Sequence, residues 1–140
     1  TNEYGNFGAA TGIGLQESCI DMLGNPGWKT IAGVAYAEWN GVNVVCHIAA
    51  EGRRWMNREY LWTIFDYPFN QMKCNRITVC VGEGNQASRR FVEHLGFQQE
   101  ARLDGAHPSG DIIVYRLRKP ECKWLKLQLH KGTEREKLAA

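Results

Sequence analysis

The sequence NQASRRFVEHLGF, residues 85–97, decides how the rest of the chain is interpreted. Its first residue, Asn85, is of a type that caps helices, because its side-chain oxygen accepts a hydrogen bond from a first-turn N–H. Apolar residues then follow at the four-residue spacing of one helix face: Ala87, Phe91 and Leu95. Gly96 is typical of a helix end, since glycine adopts the left-handed backbone without strain. The pattern predicts a helix over residues 86–95.

Strands are predicted on both sides of this helix. The stretch RITVCV, residues 76–81, is nearly all β-branched or apolar, as in a buried strand. Two further strands are expected near residues 97–103 and 111–117, joined by a loop that contains Gly, Pro and Ser. Because a strand–helix–strand crossover sits between antiparallel pairs, the predicted sheet is mixed.

A β-hairpin is predicted earlier in the chain. Residues 30–39 alternate apolar with small or polar side chains, and residues 42–50 form the returning strand. The pair Asn40-Gly41 between them is typical of a two-residue turn in which both residues have positive φ.

Two more elements complete the prediction. A short strand at residues 12–16 precedes turns across residues 17–29, which contain two glycines and a proline. After the hairpin, a helix is expected to follow residue 57 and run to about Met72, with Pro68 ending or kinking it. Its apolar stripe consists of Tyr60, Leu61, Ile64 and Phe65.

The chain has 140 residues and a mass of 15.9 kDa, with 44% hydrophobic and 23% charged residues. These values are typical of one globular domain and exclude a disordered or fibrous chain. No stretch of about 20 apolar residues is present, so no membrane-spanning helix is predicted. We expect one domain over residues 1–130 and a basic tail over residues 131–140 with a vector-derived end. Since the first residue is not Met, we also expect a processed or cloned start.

The charge and the cysteine content indicate which binding partners and which cellular compartment to expect. The formal net charge is only +2, with the basic residues concentrated towards the C-terminus, so a solvated tail is expected and nucleic-acid binding is not. The five cysteines are an odd set without a CxxC pair, which argues against a disulfide framework and favours the cytoplasm. Cys46 and Cys80 lie in apolar runs and are expected to be buried. The histidines do not lie at ligand spacing from the cysteines, so no metal is predicted.

The turn at residues 51–58 is a candidate anion site. Gly52, Arg53 and Arg54 follow a strand and precede a helix, whose free N–H groups and dipole attract phosphates. The alternative is an ordinary strand-to-helix turn with two exposed arginines. The stretch is neither a P-loop nor a dinucleotide fingerprint, because GxxxxGK[ST] and GxGxxG are both missing.

The motif at residues 85–97, placed after a buried strand, resembles the GNAT acyltransferase superfamily, whose last helix often reads N-x-x-A/S…E-x-x-G-F. Ser88 and the aromatic FDYPF at residues 65–69 are most similar to the branch that acetylates ribosomal-protein N-termini and to small phage-encoded relatives. The resemblance covers residues 12–125. It implies an α+β fold with a mixed, mostly antiparallel sheet, splayed central strands and flanking helices. The N-terminal helices of the family are expected to be missing.

The resemblance also implies where acetyl-CoA binds. Its pantetheine arm would lie between the strand at residues 45–50 and the strand at residues 76–81, and its pyrophosphate would lie at the turn. The implied cofactor-binding residues are Ile48, Ala49, Ala50, Gly52, Arg53, Arg54, Trp55, Met56, Asn57, Arg58, Asn85 and Ser88. Trp55 and Asn57 stand where the family usually has small residues.

The implied reaction is direct attack of a primary amine on the thioester, for which a base must take a proton from the amine. His47 is the first candidate because it lies beside the implied thioester and titrates near neutral pH. Glu38 and Glu51 are the alternatives. Cys46 alternates with His47 and faces the other side, so an acyl-enzyme is not expected. The proton donor is expected to be Ser88 or water, because Val92 stands where many members have a catalytic Tyr.

The predicted function is therefore transfer of an acetyl group from acetyl-CoA to a primary amine, of a protein or a small molecule, without metal. A phage enzyme that modifies a host protein is the more specific version. The alternative is a catalytically silent GNAT fold that binds and inhibits a protein. Trp124 is expected either to pack on the sheet or to contribute to a homodimer.

Overall fold

The computed structural model describes residues 11–50 and 57–126 of the chain. Their elements include six strands, the helices α1 and α2, a π-helical turn at Tyr67–Gln71 and a 3-10 turn at Lys119–Glu121. The strands are β1 (Thr11–Ile20), β2 (Pro26–Ala37), β3 (Asn43–Ala50), β4 (Arg76–Gly82), β5 (Gln98–His107) and β6 (Gly110–Arg118). The helices are α1 (Arg58–Asp66) and α2 (Gln86–Leu95).

The strands form one sheet in the order β1-β2-β3-β4-β6-β5. Every neighbouring pair is antiparallel except β3 and β4, which are parallel and are joined by the crossover through α1. The predicted mixed, mostly antiparallel sheet is thus confirmed. The parallel pair lies in the middle of the sheet. It joins two antiparallel groups of three strands, β1-β2-β3 and β4-β6-β5.

One hydrophobic core lies between the sheet and the two helices. It contains side chains from both helices and from alternate positions of the central strands, so α1 and α2 pack on the same face of the sheet. Phe65 and Phe69 are buried in it, and Tyr67 packs against it. Trp124 is also buried, and its indole Nε1 donates a hydrogen bond to the Leu95 carbonyl at 2.8 Å.

Pro68 determines how α1 ends. The helix stops at Asp66 and continues as the π-helical turn, which confirms that the proline ends or kinks it. Pro68 has no N–H to donate to the carbonyl of Ile64, the bond that residue i+4 makes in an α-helix. The Tyr36 hydroxyl donates to that carbonyl at 2.6 Å instead, in the buried core.

Two turn predictions need correction. β1 and β2 extend across most of residues 17–29, and only Asp21–Asn25 form the turn, with the Asp21 carboxylate accepting from the N–H groups of Leu23 and Asn25. Pro26 was interpreted as a turn residue, but it is the first residue of β2, a position at which proline is tolerated. The β2–β3 hairpin is confirmed, but its connection spans residues 38–42 and not two residues.

The Asn40-Gly41 pair acts differently from the prediction. Gly41 has φ +96°, whereas the other positive φ in this connection belongs to Glu38 at 56°. The Asn40 side chain accepts hydrogen bonds from the N–H groups of Val42 and Asn43 at 3.0 and 2.9 Å. Asn40 therefore closes the loop through its side chain and not through a left-handed backbone.

The burial of Cys80 was predicted wrongly. Ile77, Val79 and Val81 of β4 face the helices and are buried, whereas Cys80 points to the opposite face and is exposed. A run of apolar residues suggested a strand covered on both sides, but among the described residues helices cover only one. Cys46 on β3 is buried as predicted, and burial raises the pKa of its thiol.

A charged pair on the uncovered face leads to a prediction about acid stability. Arg76 binds Glu100 through both guanidinium Nη atoms, at 2.8 and 2.5 Å, and this lowers the pKa of the Glu100 carboxyl. A carboxyl with a lowered folded-state pKa stabilises the fold above its unfolded pKa of about 4.3, and the contribution is lost as the pH falls through the folded value.

We therefore expect Glu100→Gln to lower the melting temperature at pH 7 and to lose this disadvantage against the wild type as the pH falls below about 4. Thermal melts of both proteins between pH 3 and pH 7 measure the difference. A difference that is the same at both ends of this range would contradict the assignment.

Candidate active site

The parallel strands β3 and β4 separate soon after they meet. They pair only at Asn43 with Arg76, Val44 with Ile77 and Val45 with Thr78. Beyond these pairs each strand continues, β3 to Ala50 beside β2 and β4 to Gly82 beside β6, without a ladder between the facing edges. N–H and C=O groups on these edges are thus available to a ligand that enters the gap.

A cleft of about 200 Å³ lies in this gap. Its strand residues are Cys46, His47 and Ile48 of β3 and Val79, Cys80, Val81 and Gly82 of β4. Its helix-side residues are Asn85, Ser88, Phe91 and Val92. The walls thus combine apolar side chains with a few polar groups, the composition of a small-molecule site.

The N-terminus of α2 brings two predicted residues to the cleft. The Asn85 side-chain oxygen accepts a hydrogen bond from the Ser88 N–H at 3.2 Å, so Asn85 caps the helix as expected. The Ser88 hydroxyl makes no hydrogen bond within the described residues and is half-buried at the cleft wall. It is therefore able to bond a ligand, and Val92 beside it is fully buried and offers no hydroxyl.

The candidate bases lie in different places. His47 is exposed on β3 and lines the cleft, opposite in direction to the buried Cys46. Glu38 lies on the β2–β3 connection and does not line the cleft. Partial burial of its sulfur raises the pKa of the Cys80 thiol, and the charge of Glu38 raises it further. Glu51 lies outside the described residues.

The remaining predicted cofactor residues are only partly described. Ala49 is exposed on β3, and Ala50 ends the strand opposite Ala32 of β2. Asn57 and Arg58 form the N-terminus of α1, where the Asn57 oxygen accepts from the Tyr60 N–H at 2.7 Å. The other turn residues lie outside the described part of the chain: Gly52, Arg53, Arg54, Trp55 and Met56.

Several lining residues were not singled out from the sequence as site residues. Cys80 and Phe91 line the cleft from β4 and from α2. Gly82 also lines the cleft, and the imidazole of His107 occupies the space that a side chain at position 82 would need. The orientation of Cys80 could have been predicted from the alternation of side chains along β4. The contact between His107 and Gly82 joins residues far apart in sequence, so no local pattern predicts it.

Neither a metal-binding cluster nor a membrane-spanning helix is found in the part of the chain that the structure describes. No group of three or more His, Cys, Asp or Glu side chains in residues 11–50 and 57–126 is arranged to hold a metal ion. Over the same ranges, no helix is both long and apolar enough to cross a membrane.

Comparison with known proteins adds one similarity in sequence. No protein-family model matches the chain. Over 62 residues it is 34% identical to YdaF of Bacillus subtilis (strain 168), which carries the name of a ribosomal N-acetyltransferase. The match includes 41% of this chain and 34% of that protein, so the chain spans about a third of the curated relative.

Solved structures share the topology at low sequence identity. A mutant of the spermidine N-acetyltransferase SpeG from Vibrio cholerae has a TM-score of 0.62 and 19% identity, covering 89% of this chain and 73% of that one. A GNAT-family acetyltransferase from Bacillus anthracis has a TM-score of 0.53 and 18% identity, covering 66% and 60%.

A third solved structure is the ribosomal-protein-S5-alanine acetyltransferase from Vibrio fischeri, with a TM-score of 0.54 and 17% identity, covering 69% of this chain and 57% of that one. The splayed parallel pair, the capped helix beside it and these similarities lead to one assignment. The chain has the fold of the GNAT-type N-acetyltransferase structures to which it is similar.

Proposed function

We propose that this protein transfers an acetyl group from acetyl-CoA to a primary amine. The observation that carries the proposal is the gap between β3 and β4, which is lined on one side by Asn85 and Ser88. Pantetheine is a narrow chain of amides and methylenes. Facing strand edges without a ladder supply partners for its amides, and Ile48, Val79 and Phe91 supply apolar contacts for its methylenes.

The phosphates of the donor need positive charge, which the turn after β3 would supply. In the sequence, Arg53 and Arg54 come three and four residues after the end of β3 at Ala50, and α1 begins at Arg58. A helix N-terminus and two guanidinium groups are suited to bind a pyrophosphate. Gly52, Trp55, Met56 and Asn57 complete the turn in this proposal.

The residues of the cleft then have separate roles. His47 would accept a proton from the amine, whose nitrogen forms the new bond to the acetyl carbon as the carbon–sulfur bond breaks. The Ser88 hydroxyl would donate a hydrogen bond, or through water a proton, to the departing sulfur. Glu38, outside the cleft, would attract the ammonium form of the acceptor by charge.

The acceptor class stays open between two kinds of amine. Similarity to a ribosomal N-acetyltransferase supports a protein amine, and similarity to a spermidine acetyltransferase supports a small polyamine. A homodimer, a phage origin and a cytoplasmic location stay predictions; five free thiols support the last of these.

One observation favours a silent binding module as the second candidate. Val92 is buried at the position where the family resemblance implies a catalytic Tyr, so no side-chain acid is present there. A silent module would bind acetyl-CoA or a partner protein without turnover.

Titration calorimetry with acetyl-CoA tests the donor site, with desulfo-CoA and pantetheine as controls. We expect binding at micromolar concentration that requires the phosphates. A folded sample that shows no binding at millimolar concentration would overturn the proposal. Binding without acetylation of peptide or polyamine acceptors would favour the silent module.

A separate prediction concerns the proton acceptor. We expect His47→Gln to lower kcat/KM by about 100-fold, because a positioned general base contributes roughly that much. Glu38→Gln is the matched comparison. If Glu38→Gln lowers kcat/KM by about 100-fold and His47→Gln does not, the carboxylate is the base.

A further inference from the structure

Cys80 presents a thiol to the cleft from the face of the sheet opposite to α2. Along β4, Val79 and Val81 point into the core, so the side chain of Cys80 between them points to the other face. It is exposed there and lines the cleft. Cys46 of β3 also lines the cleft but is buried. Of these two cysteines, Cys80 is therefore the one that a ligand can reach.

His47 of β3 points to the same face of the sheet as Cys80. The last pair of the parallel ladder is Val45 with Thr78. His47 and Cys80 each lie two residues beyond this pair, which is one full period of the strand pleat. The residues directly before them are both buried, whereas His47 and Cys80 are exposed and line the cleft. An imidazole and a thiol thus border the gap from two different strands.

Together these two side chains supply a nucleophile and a base. Partial burial, and further the charge of Glu38, raise the pKa of the Cys80 thiol, so the thiol keeps its proton at neutral pH. It must lose that proton before it can attack, because the thiolate is the nucleophile. An imidazole accepts protons near neutral pH, and His47 is therefore suited to activate Cys80 as it would activate an amine.

The position of the pair determines which acyl group it meets. In the proposed function the pantetheine arm lies between β3 and β4, the strands that carry His47 and Cys80. A thioester held in this gap is beside Cys80 before any amine arrives, and holding two reactants together replaces a collision in solution. Cys19 is also exposed, but it lies on the edge strand β1 and does not line the cleft.

We propose that Cys80 is an internal acyl acceptor, which takes the acetyl group from the donor when no amine occupies the gap. This self-acetylation rests on the proposed function and adds a second acceptor to the same site. His47 takes the proton from Cys80, and Sγ forms a bond to the acetyl carbon. The bond from that carbon to the CoA sulfur breaks, and its electron pair stays on the CoA sulfur, which receives the proton from His47. The products are S-acetyl-Cys80 and CoA.

The step is reversible, because one thioester is broken and another is formed. An excess of acetyl-CoA over CoA favours acetylated Cys80, and an excess of CoA removes the acetyl group. While it is present, the acetyl group covers part of the exposed side of the cleft. The state of Cys80 would then report the ratio of acetyl-CoA to CoA around the protein.

Mass spectrometry of the protein after incubation with acetyl-CoA, without amine, tests this step. We expect one acetyl group on Cys80, and both excess CoA and neutral hydroxylamine should remove it, since hydroxylamine cleaves thioesters and leaves amides intact. Cys80→Ser should gain no such group, whereas Cys19→Ser, the matched control, should behave like the wild type. His47→Gln should slow the acetylation by about 100-fold, as for loss of a general base.

Three results would overturn the assignment. Equal acetylation of Cys19 and Cys80 would show that exposure alone decides the reaction, and an unchanged rate in His47→Gln would remove the base. An unmodified Cys80 in a sample that binds acetyl-CoA in calorimetry would overturn self-acetylation alone and leave amine transfer to be judged by its own assay. A folded sample that binds no acetyl-CoA would overturn the proposed function and self-acetylation with it.

Discussion

Ser88→Trp is expected to abolish acetyl-CoA binding and to leave the fold intact. Ser88 lies at the wall of the 200 Å³ cleft, and an indole there would fill the space that the donor needs. The Ser88 side chain lies on the cleft surface and makes no side-chain hydrogen bond within the described residues. A larger side chain at this position would therefore extend into the cleft and not into the core. We expect affinity to fall by at least about a thousandfold, or about 4 kcal/mol.

Calorimetric titration of the wild type and the variant with acetyl-CoA measures this loss, and circular dichroism melts report the fold. Arg90→Trp places the same side chain on the exposed face of α2 and should bind acetyl-CoA normally. Normal binding by Ser88→Trp would show that the donor does not occupy this cleft.

Trp124→Ala is expected to lower the free energy of unfolding by about 3–5 kcal/mol, the range for removing a large aromatic side chain from a core. Trp124 is 9% exposed, and its Nε1 donates to the Leu95 carbonyl at the last residue of α2. Loss of the indole removes both the packing and the partner of that carbonyl. Since α2 forms one wall of the cleft, its C-terminal support also matters for the site.

Urea denaturation of Trp124→Ala and Trp124→Phe separates the two contributions. The Phe variant keeps most of the packing and loses the hydrogen bond, so we expect a loss of about 1–2 kcal/mol. A loss below about 1 kcal/mol for the Ala variant would show that Trp124 is not part of the core and would return it to the dimer interpretation.

The parts of the fold that were predicted correctly depend on local patterns. The α2 helix was bounded to the residue because Asn85 caps it and Gly96, with φ +107°, ends it. Both signals lie within the element that they define. The end of α1 near Pro68 was predicted for the same reason, since the missing N–H acts within its own helix.

The errors arose where distant residues decide the outcome. Pro26 and Gly27 look like turn residues, but pairing with β1 holds them in a strand. Cys80 looks buried from its neighbours, but the number of helices that cover each face of the sheet is not a local property. The place of His107 over Gly82 likewise depends on the β5–β6 hairpin folding back onto β4.

The short contact between β3 and β4 also determines where the sheet is weakest. Its backbone joins two groups of three antiparallel strands through only three residue pairs. Partial unfolding that separates these groups would break fewer backbone hydrogen bonds than unfolding within either group. A ligand that forms hydrogen bonds with the facing edges of β3 and β4 would act as an added strand and join the two groups of strands. Binding of the acyl donor would then stabilise the contact between the two halves of the sheet. Partial unfolding at this contact would be least favourable when the donor is bound.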